Sequence, residues 1–395
     1  MMDRMDHSDI TVSKKPLKNL GYILFHLNYF LWMMIVMLHH LPVIPKVSDS
    51  FALNMEYTSV FVGISLFIFG FFIRVNKEAT IENLFVVVLI VSLLYNLLRS
   101  GGGVVGPLQA VTFLASAINI PSSKLRKFLK YDIILRTGIL IFVVLTGYGN
   151  GGYYGVGYAG FVNINPFGMW IMVIVVECFL LLKSRFFYMW LLFATSVTYL
   201  LYTVGSSRTA VLSLLVSAIL SLLFFKHNIK KKLSYLWIII PSIIVIFYQN
   251  INYFSSNFIY KLNNLFSDRI TMAQTILSQY KIELWGQRIV LVSRSLASMS
   301  FGRLQYLVLD NSYLTMLLMI GLISTILAIT LLIRGSFQLF YKFKSLAILP
   351  IVFFSLLGVS ENNMIMIEYN FLFIVMGALL LNKHTEYEKN KSSLV

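Results

Sequence analysis

Residues 312–332 read SYLTMLLMIGLISTILAITLL, a run with no charged side chain. A helix needs about 20 mostly apolar residues to cross the hydrocarbon core of a membrane. Working outward, similar runs occur at 20–38, 57–73, 83–98, 104–120, 131–147, 167–182, 186–204, 209–225, 233–248, 345–359 and 364–381. With 312–332 they number about twelve. The run at 104–120, with Pro107 and Gln109, matches least well. Lipid offers no partner for free backbone N–H and C=O groups, so helix is the state these runs require. No ten-residue alternation of the kind a membrane β-barrel needs is present. The expectation is an all-α polytopic membrane protein of about 12 transmembrane helices.

Composition supports this. The 395 residues are 58% hydrophobic and 12% charged, with mean hydropathy +0.79. Soluble domains carry about 25% charged residues, so a soluble enzyme, a disulfide scaffold and a disordered chain are excluded. Aromatics reach 15%, as suits lipid-facing and interfacial positions. Cys178 is the single cysteine, so it forms no intrachain disulfide.

The net charge of +16 is a topology signal. With the N-terminus inside, most of the 32 Lys and Arg fall on cytoplasmic segments. Examples are Lys124, Arg126, Lys127 and Lys130, and Lys226, Lys230, Lys231 and Lys232. Short outer loops hold at most one basic residue each. The positive-inside rule then puts both termini in the cytoplasm, and no nucleic acid is needed to explain the charge. Residues 1–19 and 382–395 read as cytoplasmic tails flanking an integral membrane domain over 20–381. The first apolar run is long enough to span, and no small-residue cleavage site follows it.

Three outer features stand apart. Residues 249–311 form a long extracytoplasmic loop, and loops beyond about 12–15 residues are usually functional. Within it, Leu262, Phe266, Ile270, Ala273, Leu277 and Tyr280 recur at helical spacing, which predicts helix lying on the outer surface. Residues 147–168, GYGNGGYYGVGYAGFVNINPFG, match the dinucleotide fingerprint twice but lack the preceding strand, so that reading is discarded. The glycines there suit either close backbone approach or a plain flexible loop.

The third feature is a set of polar residues at one depth: Asn96, Arg99, Arg208, Asp310, Asn311, Glu361 and Glu368. Singly, an interfacial Arg is usually a snorkelling anchor and an Asp before a helix an N-cap. Together they outline a polar chamber opening outward. Arg136 and Glu177 lie toward the cytoplasmic half of their spans with no evident partner, and the midplane is otherwise nearly free of charge. No internal repeat and no matching pair of helix breaks is visible, which weighs against an ion-coupled transporter.

Arg208, Arg269, Arg288, Arg294 and Arg303 all fall on the outer side, where topology does not call for them. Guanidinium groups grip phosphate oxygens bidentately. A lipid-linked diphosphate would place its headgroup at this boundary. Arginines could stabilise it as it departs, and Asp310 or Glu361 could take a proton from an attacking sugar hydroxyl. Trp285, Tyr313, Tyr153 and Tyr154 could stack on sugar rings, and an interfacial aromatic belt explains them equally well. No outer His/Cys cluster or carboxylate pair has metal-ligand spacing, so no metal or cofactor is implied.

The stretch Gly205–Leu215 (GSSRTAVLSLL), the long outer loop and Asp310–Leu322 (DNSYLTMLLMIGL) together resemble the O-antigen polymerase and ligase superfamily. The likeness is closest to the Wzy-type polysaccharide polymerases of capsule, exopolysaccharide or O-antigen synthesis. Arg208 matches the family's first Arg, Arg269 with Gly286 its second element, and Asp310-Asn311-Ser312-Tyr313-Leu314 its third. Gly160-Phe161 to Pro166 resembles a further loop of these polymerases. The likeness runs over residues 147–335, with its core at 204–335. Ligases carry His where this chain has Asp310, which favours a polymerase.

The resemblance implies a metal-independent glycosyltransferase of the bacterial cytoplasmic membrane. It would move a growing undecaprenyl-diphosphate-linked glycan en bloc onto a lipid-linked repeat unit at the outer face. Asp310, Arg208 and Arg269 would be its catalytic residues. Arg99, Arg288, Arg294, Arg303, Asn311, Tyr313 and Glu361 would contact substrate. Membrane lipids, a chain-length regulator and a flippase are the implied partners. A ligase-like glycan transferase and a non-enzymatic flippase or exporter of lipid-linked sugars are the alternatives.

Overall fold

Every apolar run picked out in the sequence contains a helix, and no strand occurs among the described residues. The computed structural model describes residues 15–40, 49–74, 80–100, 104–147, 164–203, 208–266, 268–289, 291 and 308–382. In chain order the helices are α1 (Lys15–His40), α2 (Asp49–Arg74), α3 (Thr80–Ser100), α4 (Val105–Ser116) and α5 (Leu125–Gly147). Then come α6 (Ile164–Leu181), α7 (Phe187–Thr203), α8 (Arg208–Phe224), α9 (Leu236–Gln249), α10 (Ser256–Leu265) and α11 (Arg269–Gln279). The last are α12 (Ser312–Thr315), α13 (Leu322–Phe343), α14 (Ile348–Ser360) and α15 (Leu372–Leu381).

Among the described residues, six stretches are long and apolar enough to cross a membrane: Pro16–Val36, Asn54–Ile73, Ile81–Arg99, Ser184–Thr203, Lys230–Gln249 and Leu322–Val359. Their outer faces carry large bare apolar side chains, among them Phe61, Leu98 and Tyr199. Such a surface is tolerable only against lipid or another apolar partner, and it marks a membrane protein.

Two helices too short to span alone, α4 and α15, are buried almost throughout. At a rise of about 1.5 Å per residue, the ten residues of α15 cover only half of a hydrocarbon core. Both lie in the interior, α4 against α2 and α15, and α15 against α13. Outer helices α1, α2 and α3 wrap one side, while α8 runs along α14 on another. Less than half of each of the stretches Pro16–Val36, Asn54–Ile73, Ile81–Arg99, Ser184–Thr203 and Lys230–Gln249 is buried, whereas Leu322–Val359 is mostly buried with the two short helices.

The 312–332 run is not one helix. After α12 the chain widens into a π-helical turn (Met316–Ile320), breaks at Gly321 with φ +88°, and starts again as α13. A piece of the long 249–311 segment fills the break. Leu322 N donates to the Glu283 carbonyl (3.0 Å), Ile323 N to Leu284 (3.2 Å), and Gln287 N to Leu318 (3.1 Å). Asn96 of α3 donates its side-chain amide to the Met319 carbonyl at 2.5 Å. Irregular backbone at such a position survives only when its polar groups are satisfied by protein, and here they are.

A second irregular stretch replaces the start of the 364–381 run. Residues 361–371 form a short 3₁₀ turn and loop before α15 begins. Asn370 holds it, donating to the Met364 carbonyl (2.7 Å) and accepting from Leu372 N (3.1 Å). The expectations of unbroken spans at 312–332 and 364–381 are thus corrected. The cause is hydrogen bonding between distant segments, which hydropathy does not register.

Among its described residues, the 249–311 segment holds two α-helices where the spacing predicted one face. The turn at Phe266 and Asp268 separates α10 from α11, yet Ile270 and Ala273 are buried and Leu277 and Tyr280 pack on the core. Asn263 joins the two, its amide donating to Asp268 Oδ1 (2.7 Å) and its oxygen accepting from Thr271 N (3.1 Å). The glycine-rich stretch over 148–163 lies outside the described residues, as do Tyr153 and Tyr154.

Candidate functional site

Arg269 is the first residue of α11, and its guanidinium reaches two carboxylates from separate parts of the chain. Nε lies 3.1 Å from Asp310 Oδ2, and Nη2 lies 3.1 Å from Glu361 Oε1. Asp310 precedes α12 and Glu361 follows α14, and the two ends are laced together. Asn311 caps α12, its oxygen accepting from Leu314 N (3.0 Å), while its amide donates to the Val359 carbonyl (2.7 Å). Ser312 Oγ donates to the Glu361 carbonyl at 2.6 Å. These bonds fix the carboxylates on one side of Arg269. The cap is Asn311, which leaves the Asp310 carboxylate for the arginine.

The cluster borders a mostly apolar cavity of about 230 Å³. Ile244, Phe247 and Tyr248 of α9 form one wall, Phe266, Arg269 and Ala273 another, and Leu309, Asp310, Asn311 and Val359 the rest. Arg269 is 18% exposed, Asp310 34% and Glu361 9%. Asp310 is therefore the carboxylate with most room for an incoming group. Charge-assisted bonds of this geometry, partly withdrawn from water, are stronger than neutral ones.

Of the residues singled out in the sequence, Arg269, Asp310, Glu361 and Asn311 meet here. Arg208 begins α8, which packs along α14 toward the same end, but its side chain lies outside the described residues. Arg294 and Arg303 also lie outside them. Three others are placed apart from this cluster. Tyr313 is fully buried, its hydroxyl donating to the Ser355 carbonyl at 2.7 Å, so it ties α12 to α14 and faces no opening. Arg99 pairs with Glu283 (3.3 Å) beside the segment docked at Gly321 and does not border the cavity. Arg288 is exposed and is likewise absent from the cavity wall. Trp285 packs edge-on against Tyr95 with ring centroids 5.7 Å apart, at the docked segment.

The Tyr313 assignment gives a direct check. Tyr313→Phe removes one buried hydrogen bond, so we expect a stability loss of about 1 kcal/mol and no change in any substrate affinity, read by thermal unfolding and binding titration. A large affinity loss with unchanged stability would restore Tyr313 to the substrate site.

Arg136 and Glu177 also turn out to have partners. Arg136 Nε lies 3.0 Å from Asp132 Oδ1 and 3.7 Å from Glu177 Oε2, and Nη2 donates to the Tyr29 hydroxyl at 2.8 Å. Tyr29 in turn donates to Asp132 Oδ1 at 2.8 Å. The sequence had offered no partner for either. The i,i+4 spacing of Asp132 and Arg136 on α5 was the available signal.

No group of three or more His, Cys, Asp or Glu among the described residues is arranged to hold a metal ion. Comparison with known proteins gave no match to a family model, to a curated protein or to a solved structure.

Proposed function

We propose that the chain is a polysaccharide polymerase. It would transfer a growing glycan from its undecaprenyl diphosphate carrier onto a lipid-linked repeat unit at the outer face of a bacterial cytoplasmic membrane. In this reading the apolar runs cross the membrane about twelve times, with both termini cytoplasmic and the 249–311 loop outside. The observation that carries it is Arg269 held between Asp310 and Glu361 beside an apolar cavity. The motif likeness around Arg208, Arg269 and Asp310 supports the substrate class.

The acceptor hydroxyl attacks the anomeric carbon of the donor glycan. A new glycosidic C–O bond forms, the bond to the diphosphate oxygen breaks, and the diphosphate leaves on its lipid. Asp310, the more exposed carboxylate, takes the hydroxyl proton. Arg269 exchanges a carboxylate partner for a phosphate oxygen and stabilises the departing charge. One guanidinium against two carboxylates leaves a negative balance, so the diphosphate needs a second cation, and Arg208 is the candidate. Nothing in this scheme calls for a metal or cofactor. Membrane lipids, a flippase supplying repeat units and a chain-length regulator fit the reading as partners.

Purified protein mixed with lipid-linked repeat units should build a ladder of products. Arg269→Ala should slow it by about 100-fold or more, and Asp310→Asn should do so with little change in donor affinity. Ladder growth at the normal rate in both variants would remove the assignment. Transfer to a non-repeat acceptor would make the protein a ligase. A second reading, a flippase or exporter of lipid-linked sugars, draws on the broken helices at Gly321 and at 361–371 together with the charges around Arg136, features that transporters use. Movement of a labelled lipid-linked sugar across sealed vesicles without polymerisation would favour it.

A further inference from the structure

The cluster around Arg136 does not balance its charges. Asp132, Arg136 and Glu177 are all fully buried, and one guanidinium faces two carboxyl groups. Asp132 Oδ1 accepts from both Tyr29 and Arg136. Asp132 Oδ2 and both oxygens of Glu177 are buried and accept no hydrogen bond. The Glu177 carboxyl nevertheless lies within hydrogen-bonding reach of that of Asp132.

Among the described residues, the groups facing the pair contribute no second positive charge. Tyr29 comes from α1, Arg136 from α5, and the Trp170 ring of α6 lies under the guanidinium at 5.6 Å. From the segment after α14, Glu368 offers its main-chain carbonyl to Arg136 Nη1 and brings a further carboxyl, near Glu56 of α2. Two ionised carboxylates in contact, in a dry interior with one cation, repel each other. A proton between them removes the repulsion and supplies the missing donor. Three orphaned oxygens fall short of the about six that a hard metal cation takes.

We infer that Asp132 and Glu177 hold one proton between them at neutral pH, forming a proton-binding site inside the bundle with Arg136 as its counter-charge. The site is independent of the outer cluster's chemistry. It is linked to that cluster through the chain, since Arg136 grips the carbonyl of Glu368 in the same irregular stretch that begins with Glu361.

Infrared spectroscopy of the purified full chain at neutral pH, in H2O and in D2O, tests this. The wild type should show a protonated-carboxyl C=O band. Both Glu177→Gln and Asp132→Asn should lose that band, because an amide donates the hydrogen bond the proton supplies and one carboxylate remains to balance Arg136. Both should unfold within about 3 °C of wild type, whereas Glu177→Leu, which cannot donate, should fall further. Absence of the band in the wild type overturns the inference, as does its survival in both amide variants. Loss of the band only in Glu368→Gln moves the proton to Glu368 and overturns it too. A thermal midpoint raised by sodium over choline chloride would assign a metal cation to the site in place of the proton.

Discussion

Gly321→Ala is expected to destabilise the protein by about 4 kcal/mol or more, with Gly286→Ala close behind. Gly321 has φ +88°, and a Cβ built there would lie 2.2 Å from Gly286 N and 2.5 Å from the Trp285 carbonyl carbon. Gly286 has φ +78°, and its Cβ would lie 2.2 Å from the Met319 carbonyl oxygen. Left-handed backbone costs a residue bearing Cβ about 1–2 kcal/mol, and forced overpacking about 1–3 kcal/mol more. The neighbouring atoms are backbone and cannot swing away. Relief therefore requires pulling the docked segment from the helix break, which strands the N–H groups of Leu322 and Ile323 at about 1–3 kcal/mol each.

Controls are built into the chain. Nothing lies within 4 Å of a Cβ at Gly106 or Gly138, and both lie in helices, so alanine there should be neutral or stabilising by up to about 1 kcal/mol. Thermal unfolding of the four variants side by side gives the comparison. If Gly321→Ala unfolds with Gly138→Ala, the crossing of the two backbones does not exist as described.

The second large effect belongs to Arg136→Met. Methionine fills much of the same volume, but Asp132 and Glu177 then face each other with no cation, and the Tyr29 hydroxyl and Glu368 carbonyl each lose a donor. Removing one partner of a buried ion pair costs about 3–5 kcal/mol. We expect that loss in denaturant or thermal unfolding, with partial recovery when Asp132→Asn and Glu177→Gln are both added to Arg136→Met, since no carboxylate is then left unbalanced. A single variant within about 1 kcal/mol of wild type would mean the guanidinium is not the cluster's counter-charge.

Much of this architecture was legible as hydropathy. Each apolar run carried a helix because lipid and core alike demand internally satisfied backbone, and a run of such residues has no other way to meet that demand. The polar outliers Arg269, Asp310 and Glu361 were legible as individual residues for the same reason, being costly where they stand. Their roles were less so. Tyr313 looked like a ring for sugars, because sequence shows a tyrosine near a motif but not that its hydroxyl reaches Ser355 across two helices. Asp132 went unremarked, because a single acid near a basic loop reads as interfacial until its partners on α1 and α6 are known.

What the sequence determined alone was the helical class, the apolar segments and the shortlist of charged residues, since these follow from local hydropathy and backbone satisfaction. The tertiary structure decided which runs stay whole, which charges meet and which aromatics are buried. The break at Gly321 exists because residues 283–287 supply its hydrogen bonds from a distant part of the chain. Arg269 finds two carboxylates because Asn311 and Ser312 tie the start of α12 to the end of α14. Contacts of this kind depend on positions far apart in the chain, and no window of sequence contains both ends of them.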